Sequence, residues 1–262
     1  VDQDYVRTGC EWRNKAAASL KIPLIQVDSD TVIPVSLFSK EEYGAYTIRP
    51  KILKLLQDYL VEPPRNLPNV KWQNQIPDCI DINTGSIESI LNSLHFAQKV
   101  SPVKDIQGGH IEAKQKLVDF VQYRLPEYSE GSGDIGVSLT SELSPYLHFG
   151  QISPTRVALD VTSSGIEDDN MDAFLEQLIV RRELAVNYCL FNQKYDSIAA
   201  ASDWAAKTLK AHRYDEHSEL YSLEELENAD THDDLWNAAQ IELITQGRIH
   251  TYMRMVWAKC IM

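Results

Sequence analysis

The sequence lacks a CxxC pair, a dense cysteine pattern and any run of about 18 apolar residues. Its four cysteines, Cys10, Cys79, Cys189 and Cys260, lie far apart, which excludes a disulfide-stapled scaffold and points to a reducing interior. Without a long apolar run, no membrane-spanning helix is expected. The phosphate-cradling motifs GxGxxG and GxxxxGK(S/T) are missing, and so are the HExxH zinc spacing and the GxSxG nucleophile elbow. The seven histidines show no metal-ligand spacing. His212 and His217, beside Asp215 and Glu216, read as a solvated turn, and no metal is expected. The chain opens on Val1 with no signal-peptide pattern, so an intracellular place, cytoplasmic or nuclear, is expected.

Positive charge is also scarce. Lys and Arg number 25 against 38 Asp and Glu, a formal net charge of -13. From Pro145 to the end the balance is 10 against 19. A uniformly basic nucleic-acid binder is excluded, but a local basic groove is not, because recognition depends on the field at the contact.

What is present is ordinary globular material: 262 residues, 44% hydrophobic and 24% charged, enough for one or two domains with a real core. EWRNKAAASLK, 11–21, reads as a helix. IPLIQV, Ile22 to Val27, then reads as a short buried strand, and TVIPV, Thr31 to Val35, as a second extended piece. Helix followed by strand suggests the later part of an α/β domain, residues 1–62. Pro63-Pro64, Pro68, Pro77 and Pro102 mark residues 63–107 as a connection with a few short helices. A helix starts after Gly108-Gly109, with Leu117, Val118, Phe120 and Val121 as its apolar positions, and YSEGSGDIGVS, Tyr128 to Ser138, is a loop. Helical patterns follow over 153–163, 170–192, 198–211, 222–228 and 231–262, making 108–262 an all-α domain. The final segment, His250 to Met262, shows no stop signal and reads as cut inside a helix.

Three constellations could carry chemistry. TSELSPYLHFGQISP, Thr140 to Pro154, places Thr140, Ser141 and Ser144 just before a helix. Such a turn suits phosphate oxygens, though ordinary capping by Ser144 with Pro145 at the first helical position is the reading that local chemistry favours. EQLIVRRELAVNY, Glu176 to Tyr188, spaces Glu176, Arg182 and Glu183 as a solvated ion-pair face, and the adjacent Arg181-Arg182 could alternatively meet phosphates. Trp236 and Trp257 read as core aromatics or as closely spaced, oxidisable indoles that relay an electron.

Taken together, TSELSPYLHFGQISP, FLEQLIVRRELAVNYC and DDLWNAAQIELITQGRIHTYMRMVWAK, in that order and spacing, resemble class II cyclobutane-pyrimidine-dimer DNA photolyases of the photolyase/cryptochrome family. IPLIQVDSDTVIPV and EYGAYTIRPKI resemble the end of that family's N-terminal α/β domain. The resemblance implies an α/β N-terminal remnant followed by an all-α, FAD-binding, photolyase-like domain. It implies that photoexcited reduced FAD donates an electron to a flipped-out dimer in UV-damaged DNA. An antenna chromophore of deazaflavin, folate or flavin type, and a monomeric state, belong to the same expectation.

By position, the resemblance implies that Tyr128 and the turn Thr140, Ser141, Glu142, Leu143 and Ser144 contact FAD, the turn at its phosphates. Arg254 lies beside the flavin, Met255 lines the dimer pocket, and Trp236 and Trp257 belong to the reducing relay. Arg181, Arg182, Lys207, Lys210 and Arg248 are the DNA-phosphate candidates. Departures from the family pattern are Gln177 where it usually has Glu, Ser132-Gly133 for Arg-Asn, Glu216-His217 for Lys-Arg, and Val256 for Tyr. These imply slower repair, or a cryptochrome-like photoreceptor without repair. The resemblance also puts family segments before position 1 and after position 262. From that we expect the chain itself to bind FAD weakly or not at all, with an incomplete antenna site.

Overall fold

Side-chain caps explain where some of the helices begin. The computed structural model describes residues 1–64, 87–94, 101–137, 139–166, 168–216 and 218–261. Pro68, Pro77, Cys79, His95, Ser138, His217 and Met262 lie outside them. In chain order the helices are α1 (Arg7–Ser19), α2 (Ala45–Tyr59), α3 (Ile87–Ser93), α4 (His110–Tyr123), α5 (Tyr128–Gly131), α6 (Ser144–His148), α7 (Pro154–Thr162), α8 (Asp168–Leu175) and α9 (Arg182–Phe191). Then come α10 (Asp203–Ala211), α11 (Leu223–Glu227), α12 (Asp234–Gln246) and α13 (Thr251–Ile261). Ser153 caps α7 by accepting from Arg156 N. Ser222 and Glu225 form a reciprocal capping box on α11. Asp233 accepts from Leu235 N and Trp236 N to start α12.

The molecule is predominantly helical, and the two expected strands do not form. Among the described residues the only β interaction recorded is an isolated parallel bridge, Asp2 with Val27. Ile22 and Ile25 are 70% and 74% exposed, so IPLIQV is not a buried strand. A strand exists only by pairing, and that one bridge gives this segment no ladder. Thr31, Val32, Ile33 and Val35 are buried, but in irregular backbone and, from Val35, a short 3-10 turn, with Val32 and Ile33 held on α9.

One helix lies outside the sequence expectations, and one helical expectation changes. EYGAYTIRPKI opens α2, which runs through Pro50. There, proline removes one backbone hydrogen bond without ending the helix. The run 231–262 is divided, because Gly247 adopts φ 66°, ψ 17° and closes α12 as a left-handed cap. Val118 is exposed, whereas Leu117 and Phe120 face inward as expected.

One core joins both ends of the first two-thirds of the chain. Phe120, Leu125, Leu143, Val157, Phe174 and Ile179 pack in the same cluster as Val32, Ile33, Ile48 and Ile52. The last four helices lie outside this cluster, and their buried residues are Trp236, Ala239, Gln240 and Met253. No helix among the described residues is long and apolar enough to cross a membrane.

Candidate functional site

The Thr140–Ser144 turn is held by ions, not by its helix. Glu142 sits at φ 59°, a left-handed conformation that costs a residue with a side chain about 1–2 kcal/mol. Its carboxylate is fixed there by Lys116 at 2.8 Å, by Arg248 in a short ion pair, and by Arg124 at 3.5 Å. Burial opposes the charge, but the Lys116 and Arg248 hydrogen bonds win and pull the carboxyl down to about 2. Arg124 also donates to the Thr140 carbonyl at 3.0 Å. Ser141 Oγ accepts from Leu143 N at 3.4 Å.

Ser144 does not act as the expected cap: it is the first residue of α6, is exposed, and makes no capping hydrogen bond. With five residues, α6 offers little dipole, so any anion affinity here comes from cations and hydroxyls. Leu143 is fully buried and contributes only backbone. Three cations against one carboxylate leave two positive charges beside Thr140 and Ser141, a donor set whose chemistry fits a diphosphate.

The start of α13 is tied to the same place. Arg248, just before α13, holds Glu142, and His250 Nε2 lies 3.2 Å from the Ser132 carbonyl. Tyr252 lies against Gly133, where a Cβ would meet its ring at 3.1 Å. Residues far apart in sequence, 116, 124, 132–133, 140–144 and 248–252, are thereby brought together. Arg254 and Met255 follow within one turn and are both exposed. Tyr128 is half-buried and meets Phe120 and Phe174 edge-on at 5.7 and 5.4 Å. Burial pushes its hydroxyl pKa up.

Trp236 and Trp257 form a stacked pair, with centroids 6.0 Å apart and planes 9° off parallel. Trp236 Nε1 donates to the Trp257 carbonyl at 3.2 Å, and Trp257 Nε1 donates to Gln240 Oε1 at 3.0 Å.

The segment from Glu176 to Arg181 is a π-helical turn between α8 and α9. Such turns often occur at functional sites. It buries Leu178, Ile179 and Val180 and leaves Gln177 and Arg181 exposed. Arg49 grips Glu176 through two bonds of 2.9 and 2.7 Å, and Arg181 reaches the same carboxylate at 3.2 Å.

The expected solvated face of Glu176, Arg182 and Glu183 is corrected at two positions. Arg182 turns inward to the Asp30 carbonyl. Glu183 is 1% exposed, and its Oε1 accepts from Val32 N at 2.7 Å and Ile33 N at 3.0 Å. Burial pushes its carboxyl up to about 7. Spacing shows which residues share a helix face, not which face another segment covers. Lys207 and Lys210 are exposed on α10, apart from the turn in sequence and with no bond to it.

Two surface clefts stand out, and neither is lined by the turn. One of about 380 Å³ is lined by Ser222, Glu224, Glu225, Asn228 and Asp230. The other, about 200 Å³, lies between Leu117, Val121 and Asp160. The acidic composition of the first opposes an anionic ligand. Among the described residues no group of three or more His, Cys, Asp or Glu could hold a metal ion. Sequence reasoning missed Lys116, Arg124, His250 and Gln240. Of these only Gln240, one turn after Trp236, had a signal in its spacing.

No family model matches the sequence. The chain is 38% identical over 264 aligned positions to the deoxyribodipyrimidine photo-lyase of Methanothermobacter thermautotrophicus, covering all of this chain and 57% of that protein. It spans about half the length of the curated relatives it matches. Its fold is similar to a class III photolyase from Agrobacterium tumefaciens, with TM-score 0.68, 19% identity and coverage of 99% of this chain and 53% of that one. It is also similar to a cryptochrome from Synechocystis sp. PCC6803, with TM-score 0.67, 18% identity and coverage of 99% and 54%.

Proposed function

Since this chain belongs to the photolyase/cryptochrome family over the half of those proteins that it spans, we propose that it supplies the flavin-holding part of a light-dependent DNA-repair flavoprotein. The substrate class is the cyclobutane pyrimidine dimer, as in class II photolyases. The observation that carries the reading is the tie between the Thr140–Ser144 turn and the start of α13 through Glu142 and Arg248.

In this reading Thr140 and Ser141, with Lys116, Arg124 and Arg248, hold the FAD diphosphate, and Glu142 keeps the turn in its left-handed shape. Arg254 places positive charge beside the flavin ring, where a cation favours the anionic reduced form. When bound, reduced FAD supplies the photoexcited electron that opens the cyclobutane ring. Met255 lines the dimer pocket. Gln177 donates and accepts hydrogen bonds at the dimer bases but, as an amide, offers no charge. Trp236 and Trp257 carry electrons inward from the surface. To meet a DNA phosphate Arg181 must leave the Glu176 carboxylate, and Arg182 must first release Asp30. An antenna chromophore would lie on the N-terminal side, in residues 1–62.

The test is a graft. This chain replaces the matched segment of the Methanothermobacter relative, and the product is assayed for flavin absorbance and for blue-light repair of a thymine-dimer oligonucleotide. Flavin-coloured protein with repair supports the reading. A folded, colourless graft that cannot be reconstituted with FAD contradicts it.

A second reading, a cryptochrome-like photoreceptor, is favoured by Gln177 and by Ser132-Gly133 in place of Arg-Asn. Light-driven flavin reduction without repair in the same graft would select it.

A further inference from the structure

We infer that Gln240 is a positioning residue that keeps the indole proton on Trp257 when the Trp236–Trp257 pair gives up an electron. This rests on the relay role assigned to the pair above. An indole that has lost one electron becomes a far stronger acid at its N–H. Its fate then depends on what that N–H faces. A carboxylate or imidazole would take the proton and leave a neutral radical, whose repair needs both an electron and a proton. An amide oxygen accepts the hydrogen bond but is not a base near neutral pH.

Here both indole N–H groups face amide oxygens, the Trp257 carbonyl for Trp236 and Gln240 Oε1 for Trp257. Gln240 is 8% exposed on α12, and its own Nε2 donates to the Glu227 carbonyl at 3.3 Å. That second bond fixes the amide orientation. Reversing the amide would set N–H against N–H on one side and oxygen against oxygen on the other. The near-parallel stacking lets the pair share the missing electron. In the balanced step one electron passes from the indole pair to an oxidant, no bond breaks, and the proton stays on Trp257 Nε1. One electron from a reductant such as ascorbate then restores the pair.

The experiment needs no bound flavin. Trp12 and Trp204 are exposed and, with Trp72, would compete for oxidation, so the parent carries W12F, W72F and W204F. A ruthenium polypyridyl photo-oxidant removes one electron, and transient absorption separates the protonated indole radical from the neutral one. The parent should show the protonated radical, with decay independent of pH near neutrality and full recovery with ascorbate. Gln240→Glu should form the neutral radical at least about tenfold faster. Gln240→Met, which removes the acceptor without adding a base, should deprotonate more slowly than Gln240→Glu. If the carboxylate variant misfolds, the parent alone decides. Deprotonation in the parent as fast as in a free tryptophan derivative overturns the inference, as does a Gln240→Glu trace identical to the parent. Because the oxidant is external, a graft that binds no FAD would refute the functional reading while leaving this result intact.

Discussion

The segment that crosses α9 and the α12–α13 hairpin are both held by buried polar groups, yet they are finished differently. On α9, Glu183 grips Val32 and Ile33, and Asn187 one turn later accepts from Glu42 N at 2.7 Å and donates to the Lys40 carbonyl at 3.2 Å. The Glu183 bonds go to Val32 and Ile33, which belong to the main apolar cluster. The hairpin buries only Trp236, Ala239, Gln240 and Met253, while Leu235, Ile241, Ile244, Met255 and Val256 are exposed. Stability therefore resides in the first region. The residues assigned to electron transfer occupy the thinner second region, and those assigned to flavin lie on it, on the turn it touches and around α4 and α5.

The largest way to test that contrast is Phe120→Ala. Phe120 is fully buried against Phe174 and Tyr128, and its loss should cost about 3–5 kcal/mol in urea unfolding. A cost near that of a surface substitution would break the comparison.

Next is pH. The Glu183 carboxyl is raised from its ordinary value to about 7 by burial, so the folded chain binds a proton that the unfolded chain has released. Its contribution is fully present below about pH 4.5 and is lost as pH rises to about 7, for a total of about 3 kcal/mol. The stability difference between wild type and Glu183→Gln, followed from pH 4.5 to 8, should change by that amount. A flat difference would remove Glu183 from the account. Glu142 runs the opposite way. Its carboxyl is depressed to about 2, so its tie is intact at neutral pH and weakens as pH falls from about 4.5 toward 2.

Smaller effects belong to the hairpin. Asp233→Ala removes the cap of α12 and should cost about 1 kcal/mol, read by thermal unfolding. Arg248→Ala should cost below about 1 kcal/mol globally, because that arginine is half exposed. Its signature is faster amide exchange in α13 with unchanged exchange in α4 and α7.

How much of this was legible in the sequence follows the same division. Local signals were readable: the helical patterns of α7, α9, α10 and α11, and the glycines before α4. The helical domain followed from them, and the family resemblance from the ordered sequence blocks. Burial by distant chain was not readable. IPLIQV has strand composition but no ladder to join, and Glu183 sits at surface spacing beneath Val32 and Ile33. Proline at position 50 hid α2 from the pattern. Gly247 was a stop signal passed over inside a long helical run. At the site, the turn was legible as an anion-friendly loop, but the cations that fix it come from α4, from its C-terminal end and from the residues before α13.

The most direct test of the central claim is an FAD titration of this chain, read by flavin fluorescence and repeated with Ser141→Ala and Arg254→Ala. The account predicts weak, saturable binding that falls by about tenfold or more in each variant while the far-ultraviolet helix signal is unchanged. Binding that survives both substitutions unchanged would contradict it.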